Sequence, residues 1–433
     1  MQEEKSSFRD PVSKVFNNGN NIYREIYPPY FNEYNKLMNK GLYDELTDCN
    51  LLIPHSLIGS RIDKITIIPR MITFISYPYE WCFSMLKSAA LNTLAINRIA
   101  MEHGMMLKDA SAYNMQWDHG SMVLIDTCSF MTYEAGMPWG AYRQFLQHFL
   151  YPLVLMAYKD ASFGKLSQSY MDGIRAKLAI KLLPGKLRFH PGMLAHVYAQ
   201  SLNFTVNPNR KVIMSRMALD ALLNNLFNLI RSLEYKTRSD WTNYSDGDSY
   251  SPAAKKSKDN IIVNLSSKYL YNRVDLGCNT GEYSRSALLA VDSDHDCIEY
   301  VFEKREDNLP LIIDLCNPTP AIGWGNTERK SFWDRVHVEN IMALALIHHL
   351  CVGNNVPLSY VAELFSQHCK NLIIEFVPLE DPKAKLLLGK KNIPPYSLEI
   401  FKSEFSKWFN IVGEYPIEDS LRTIYVMERI WGN

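Results

Sequence analysis

Apolar positions along this chain change period near residue 236. Upstream, two stretches carry apolar residues at helical spacing. Residues 86–105 predict one amphipathic helix, with Gly104 near the end where helices stop. Residues 212–235 predict a second, with Ile213, Met217, Leu219, Leu222, Leu223, Leu226, Leu229 and Ile230 on its stripe. Downstream, short apolar runs at 273–276, 287–291, 309–313, 341–346 and 372–376 alternate with helical or irregular segments. That alternation predicts an open α/β sheet. Between the two regimes, residues 236–258 are polar, rich in Ser, Asp and Lys, and lack apolar periodicity. They read as a linker or mobile loop, although Trp241, Tyr244 and Tyr250 suit a docked segment or a substrate lid better than a plain tether. The expected organisation is therefore 1–235, a linker at 236–258, and a domain at 259–433.

Composition adds mainly exclusions. The chain has 433 residues, 47% hydrophobic and 21% charged, enough for two or three globular domains. Lys plus Arg equal Asp plus Glu at 46 each. A net charge of zero argues against bulk nucleic-acid binding, and leaves a local basic patch open. The first ten residues have no basic stretch followed by an apolar one. The longest greasy run, 149–158, is about half a membrane span. Eight scattered cysteines without a CxxC pair read as reduced thiols in a cytoplasm, with no zinc-site spacing.

The sharpest chemical motif runs from Val274 to Ser284. A short strand ends in Asp275, a turn bears Gly277, Cys278, Asn279 and Gly281, and a helix is expected next. A strand–turn–helix at the carboxyl edge of a parallel sheet is where doubly wound folds bind nucleotides. A carboxylate there suits a cationic aminoacyl ligand better than a pyrophosphate. This stretch resembles the first motif of the class I S-adenosylmethionine-dependent methyltransferases, with Asn279 at the middle glycine. Asn tolerates a left-handed backbone better than most residues.

The resemblance continues in order along the chain. It implies that Asp292, with Ser293, ends the second strand and accepts from ribose hydroxyls. Asp314 and Leu315 end the third strand beside the adenine. His348 and His349 follow the fourth strand, facing the methyl group, where an imidazole is a candidate base. Glu375 lies in the fifth strand, either as a structural anchor or as a substrate ligand. The segments 409–415 and 421–428 resemble the hairpin that closes this sheet. The implied fold is a Rossmann-like seven-stranded class I methyltransferase domain, with S-adenosyl-L-methionine as cofactor and no metal.

The N-terminal half holds another constellation: Asp109, Asn114 five residues on, and Asp126 after a hairpin strand. Phosphoryl transfer needs a carboxylate at the acceptor hydroxyl, and an amide and a second carboxylate on Mg²⁺. The spacing resembles that of protein kinases and aminoglycoside-type phosphotransferases, implying an α+β kinase-like domain. The glycine after the second Asp is replaced by Thr127, no Gly-rich loop is evident, and Arg24 stands in the lysine's place, with Glu33 or Glu45 as its helix partner. Those departures imply a degenerate domain that binds or presents substrate.

As a whole the chain resembles the nodulation-protein-type methyltransferases of bacteria. The resemblance rests on Ser76–Trp81, 107–114, 125–130, Pro138-Trp139, 275–284, 314–324, 346–350 and 375–378. It implies methyl transfer, to oxygen rather than nitrogen, on a small-molecule, glycan or carrier-attached acceptor in a biosynthetic pathway. Two alternatives are a bifunctional kinase–methyltransferase acting on a surface polysaccharide or metabolite, and a non-catalytic cofactor-binding interaction protein. Oligomeric state is not legible.

Overall fold

A computed structural model of the chain describes residues 2–19, 21–202, 213–236, 250–269, 271–304 and 306–430. It is a mixed α/β structure of two compact units, Met1–Lys236 with Ala321–Arg329, and Thr237–Pro320 with Lys330–Asn433. The short excursion Ala321–Arg329 thus packs with the first unit, whereas its sequence position places it inside the C-terminal domain. Within that unit Arg9 donates to both carboxylate oxygens of Glu328 (2.6 and 3.0 Å), and the Arg329 guanidinium lies 4.5 Å from the Tyr113 ring centre. No helix among the described residues is long and apolar enough to cross a membrane.

The first unit opens with an antiparallel sheet of β1 (Gln2–Glu3), β2 (Ser13–Asn17), β3 (Ile22–Ile26), β4 (His55–Ser60) and β5 (Ile65–Pro69), in the order β1-β2-β3-β5-β4. Ile26, Ile65 and Ile67 pack from it onto Tyr30, Tyr34 and Cys128. The first predicted helix spans Phe83–Glu102, and Gly104, at φ +72°, turns the chain into β6 (Met105–Leu107). Strand β6 pairs with β9 (Phe130–Thr132), which is why the helix ends before 105. Between them β7 (Met115–Asp118) and β8 (Ser121–Leu124) form a hairpin. Its two loop residues, His119 and Gly120, both have positive φ, as a two-residue turn matched to strand twist requires. The second predicted helix spans Arg216–Ser232, with the Ser215 hydroxyl accepting from the Ala218 N–H at its start.

The second unit is built on a seven-stranded sheet. Its strands are β10 (Arg273–Leu276), β11 (Leu289–Asp292), β12 (Leu309–Ile312), β13 (Val338–Ala343), β14 (Cys369–Phe376), β15 (Phe409–Pro416) and β16 (Thr423–Arg429). The order is β12-β11-β10-β13-β14-β16-β15. The first five strands are parallel, and β16 runs antiparallel between β14 and β15. The sheet grows outward from β10 in both directions. Loops leaving β10 and β13 therefore diverge and open a crevice at their carboxyl ends, the position where open α/β sheets bind ligands.

The supposed linker is helical from Pro252, in a helix that runs to Tyr269. Ala254, Ile262, Leu265 and Tyr269 form its buried stripe, packed on Met342, Leu344, Ile373, Ile424 and Val426. Lys258 occupies one position of that stripe and is itself buried. A lysine where an apolar residue is expected hides the helical period from a reading of the sequence. Trp241 and Tyr244 lie outside the described residues; Tyr250 is described and anchored.

Candidate functional site

A cavity of about 460 Å³ opens at the carboxyl ends of β10, β11, β12 and β13. Strand β10 contributes Asp275 to its wall, and the turn after it Gly277, Cys278, Asn279 and Thr280. Asp292, Ser293 and Asp294 come from the end of β11; Asp314, Leu315 and Cys316 from that of β12; and Leu344, Ala345, Leu346 and His349 from that of β13. Gly281, His348 and Glu375 are not part of the wall.

The β10 turn is shaped by backbone demands. Gly277, Asn279 and Gly281 have φ of +71°, +48° and +73°. The left-handed region disfavours Cβ-bearing residues, and Asn is the usual exception. A Cβ on Gly277 would meet Leu346 at 3.0 Å, and one on Gly281 would meet Val301 at 2.8 Å. Gly277 thus keeps the cavity floor open, while Gly281 lets the turn pack on the helix His295–Glu303.

Two carboxylates, Asp275 buried and Asp292 half-buried, hold this turn. Asp275 accepts from the Ser284 hydroxyl (2.6 Å). Burial pushes its carboxyl up, against the pull of Arg273 and Ser284, to about 6. Asp292 accepts from the Asn279 N–H (2.8 Å) on one oxygen and the Asp294 N–H (2.9 Å) on the other. Burial pushes it up too, although these backbone donors stabilise its charged form. Each oxygen keeps acceptor capacity beyond those bonds.

The sign of the cavity is acidic. Asp275, Glu282, Asp292, Asp294 and Asp314 line it, against the ammonium groups of Lys255 and Lys258. Both lysines are already paired, Lys255 with Asp259 (2.7 Å) and Glu282 (2.5 Å), and Lys258 with Glu375 (2.8 Å). Such a wall attracts a cation and repels phosphates.

Glu375 is fully buried at the centre of a network behind the wall. One oxygen accepts from Tyr250 (2.5 Å); the other accepts from Lys258 and from the backbone N–H of Ala345 (3.1 Å). Arg422 donates to the Tyr250 hydroxyl (2.7 Å) and grips Asp381 through two nitrogens (2.7 and 3.1 Å). Ala345 has φ +48°, a strained conformation for a residue with a Cβ, and it lines the cavity. Of the two roles open to Glu375 in the sequence, the anchor is the one these bonds describe. Lys258, which the sequence reading did not nominate, and Tyr250, which it marked as suited to a docked segment or a lid, carry the network to the cavity surface.

The two histidines separate. His349 lines the cavity; burial, then the nearby Arg422, lowers its pKa. His348 is fully buried, its ring centre 4.2 Å from that of His349, with neither nitrogen hydrogen-bonded among the described residues. Burial and then His349 lower it further.

In the first unit, Asp109, Asn114 and Asp126 gather around Ser129. The Ser129 hydroxyl donates to Asp126 (2.6 Å) and accepts from the Asn114 amide (3.4 Å), and the Lys108 N–H donates to the Ser129 carbonyl (2.8 Å). Asp109 accepts from the Ser111 N–H (2.9 Å) and the Gln144 amide (2.8 Å); burial, then Asp126, pushes its carboxyl up. Arg24 reaches in from β3 and bonds Asp126 directly at 2.6 Å. Neither proposed helix partner meets Arg24: Glu33 accepts from Thr132 (2.8 Å), and Glu45 pairs with His103 (2.7 Å). Arg24 pairs instead across the cluster with Asp126, on the loop after β8.

No family model matches the chain. It is 29% identical to the nodulation protein NoeA of Rhizobium meliloti (strain 1021), over 98% of this chain and 95% of that protein. Among solved structures, vaccinia related kinase 3 aligns with 52% of this chain and 87% of its own, at 12% identity and a TM-score of 0.28. The Cydia pomonella granulovirus kinase PK-1 aligns with 54% and 90%, at 10% identity and a TM-score of 0.27. At such TM-scores these two likenesses carry no argument about the chain.

Proposed function

We propose that the second unit is a class I methyltransferase domain that uses S-adenosyl-L-methionine and methylates a small-molecule, glycan or carrier-attached acceptor. The observation that carries this reading is the convergence of Asp275, Asp292 and Asp314, at the ends of three successive strands of the β12-β11-β10-β13-β14-β16-β15 sheet, on one acidic cavity. The cradle fits the cofactor on three counts. Gly277 leaves room for close approach, Asp292 has acceptor capacity for ribose hydroxyls, and the net acidic wall suits a ligand with a cationic sulfur and an ammonium group.

When bound, the cofactor supplies an electrophilic methyl group. The chain's own residues do the rest. Asp275 would hold the ammonium end, Asp292 the ribose, and Asp314 with Leu315 the adenine edge. Leu344, Ala345 and Leu346 form the wall after β13, held in place through the Glu375–Ala345 bond. His349 is the cavity-lining imidazole and so the group placed to take a proton from an acceptor hydroxyl.

Radiolabelled S-adenosyl-L-methionine and an extract of the producing cells test the activity. Label should pass into a non-nucleic-acid fraction, and His349→Ala should lower the rate by about 10²–10⁴-fold with cofactor affinity retained. No transfer by protein that binds the cofactor would favour a non-catalytic binding module. Transfer into ribosomal RNA would overturn the acceptor class.

For the first unit we propose a kinase-like scaffold without phosphotransfer. Arg24 on Asp126 places a fixed cation on the carboxylate that a kinase-like site would give to Mg²⁺. A saturating nucleotide at a hundred times its Kd would stabilise the fold by about 2.7 kcal/mol. The expected thermal shift with ATP and Mg²⁺ is nil; a clear shift that Asp126→Ala abolishes would establish the bifunctional reading instead.

A further inference from the structure

Between Asp172 and Asp220 the sequence contains no acidic residue, although the chain as a whole is neutral. Six lysines and arginines of this stretch fall within the described residues and are exposed; Arg216 pairs with Asp220 at 3.0 Å. The other five, Arg175, Lys177, Lys181, Lys186 and Arg188, form no ion pair among the described residues. Lys177 and Lys181 sit one turn apart on the helix Ala176–Leu182. Lys186 and Arg188 lie on the next helical turn, Gly185–Phe189, with the Arg188 guanidinium 4.9 Å from the Phe189 ring centre. Both turns pack against the helical segment Leu194–Tyr198.

Large exposed apolar side chains belong to the same stretch. Phe189 is 76% exposed, Leu194 53% and Leu202 61%. Unpaired Lys and Arg alone would suit any polyanion. Exposed Phe and Leu beside them are the composition of a membrane-surface element, in which the apolar side chains enter the headgroup boundary and the cations meet anionic lipids. A nucleic-acid surface would gain nothing from Leu194 or Leu202, which cannot stack on bases.

We infer that this face of the first unit docks on an anionic phospholipid surface. The inference is independent of the methyltransferase reading, since every residue in it belongs to the other unit. It would bring the chain to lipid-attached acceptors without a spanning helix.

Vesicle flotation of the full chain tests it, with phosphatidylcholine alone against an equimolar mixture of phosphatidylcholine and phosphatidylglycerol. The chain should float with the anionic vesicles at low salt and stay behind at high salt, where surface charges are screened. Lys177→Gln and Lys181→Gln should each weaken binding roughly fivefold. Phe189→Ser should weaken it with the salt dependence kept. Wild type alone decides the main point, so a variant that folds poorly leaves the test intact. Failure to float, equal flotation with neutral vesicles, or binding to RNA or duplex DNA that anionic vesicles cannot compete away would overturn the inference.

Discussion

Glu375→Ala should destabilise the second unit by roughly 3–5 kcal/mol, the range for removing one partner of a buried ion pair. The change leaves the Lys258 ammonium buried without a counter-charge and Arg422 with Asp381 alone. It also removes the acceptor for the Ala345 N–H, so the strained turn beside the cavity should relax. Burial pushes the Glu375 carboxyl up, but Lys258 and Arg422 outweigh it, and the net displacement is below the usual range. Its contribution to stability is therefore complete above the ordinary glutamate range and is lost as pH falls through the lowered folded value. Urea unfolding of the wild type and of Glu375→Ala near neutral pH measures the effect. A loss under 1 kcal/mol would show that the network does not hold the fold.

Asp292→Ala should cost both binding and stability, because the same carboxylate also accepts from the Asn279 and Asp294 N–H groups. The substitution removes the carboxylate that would accept from two ribose hydroxyls, and bonds to a charged acceptor contribute about 1.5–3 kcal/mol each. Two such bonds correspond to a loss of at least about 100-fold in affinity for S-adenosylhomocysteine. The Asn279 N–H also loses its acceptor, so some loosening of the β10 turn is expected. Asp275 gives a separate pH signature. With its carboxyl pushed up to about 6, it is charged at neutral pH and neutral below, so affinity for a ligand bearing an ammonium group should fall as pH drops through that value. An Asp292→Ala protein that binds as tightly as wild type would remove the carboxylate from the proposed site.

The sheet was legible because buried parallel strands read as short apolar runs, and 273–276 coincides with β10. The other runs miss their strands by a few residues at the ends, where cavity-facing loops such as 344–346 continue the apolar pattern beyond β13. The cavity residues were nominated through motif order, since each lies at or just past the carboxyl end of a strand. What stayed hidden depends on contacts distant in sequence. The Pro252–Tyr269 helix looked polar because Lys258 fills a core position and is neutralised by Glu375, 117 residues away. The Arg24–Asp126 pair spans 102 residues, and no local pattern announces it. The place of Ala321–Arg329 in the first unit depends on contacts such as Arg9 with Glu328.

Whether the acidic cavity takes S-adenosyl-L-methionine is decided by isothermal titration of folded wild-type protein with S-adenosylhomocysteine, with ATP as the comparison ligand. The expected result is saturable one-to-one binding of S-adenosylhomocysteine that weakens below about pH 6, and no heat from ATP. Absence of binding by folded protein, or binding that Asp292→Ala leaves unchanged, would overturn the assignment of the cavity.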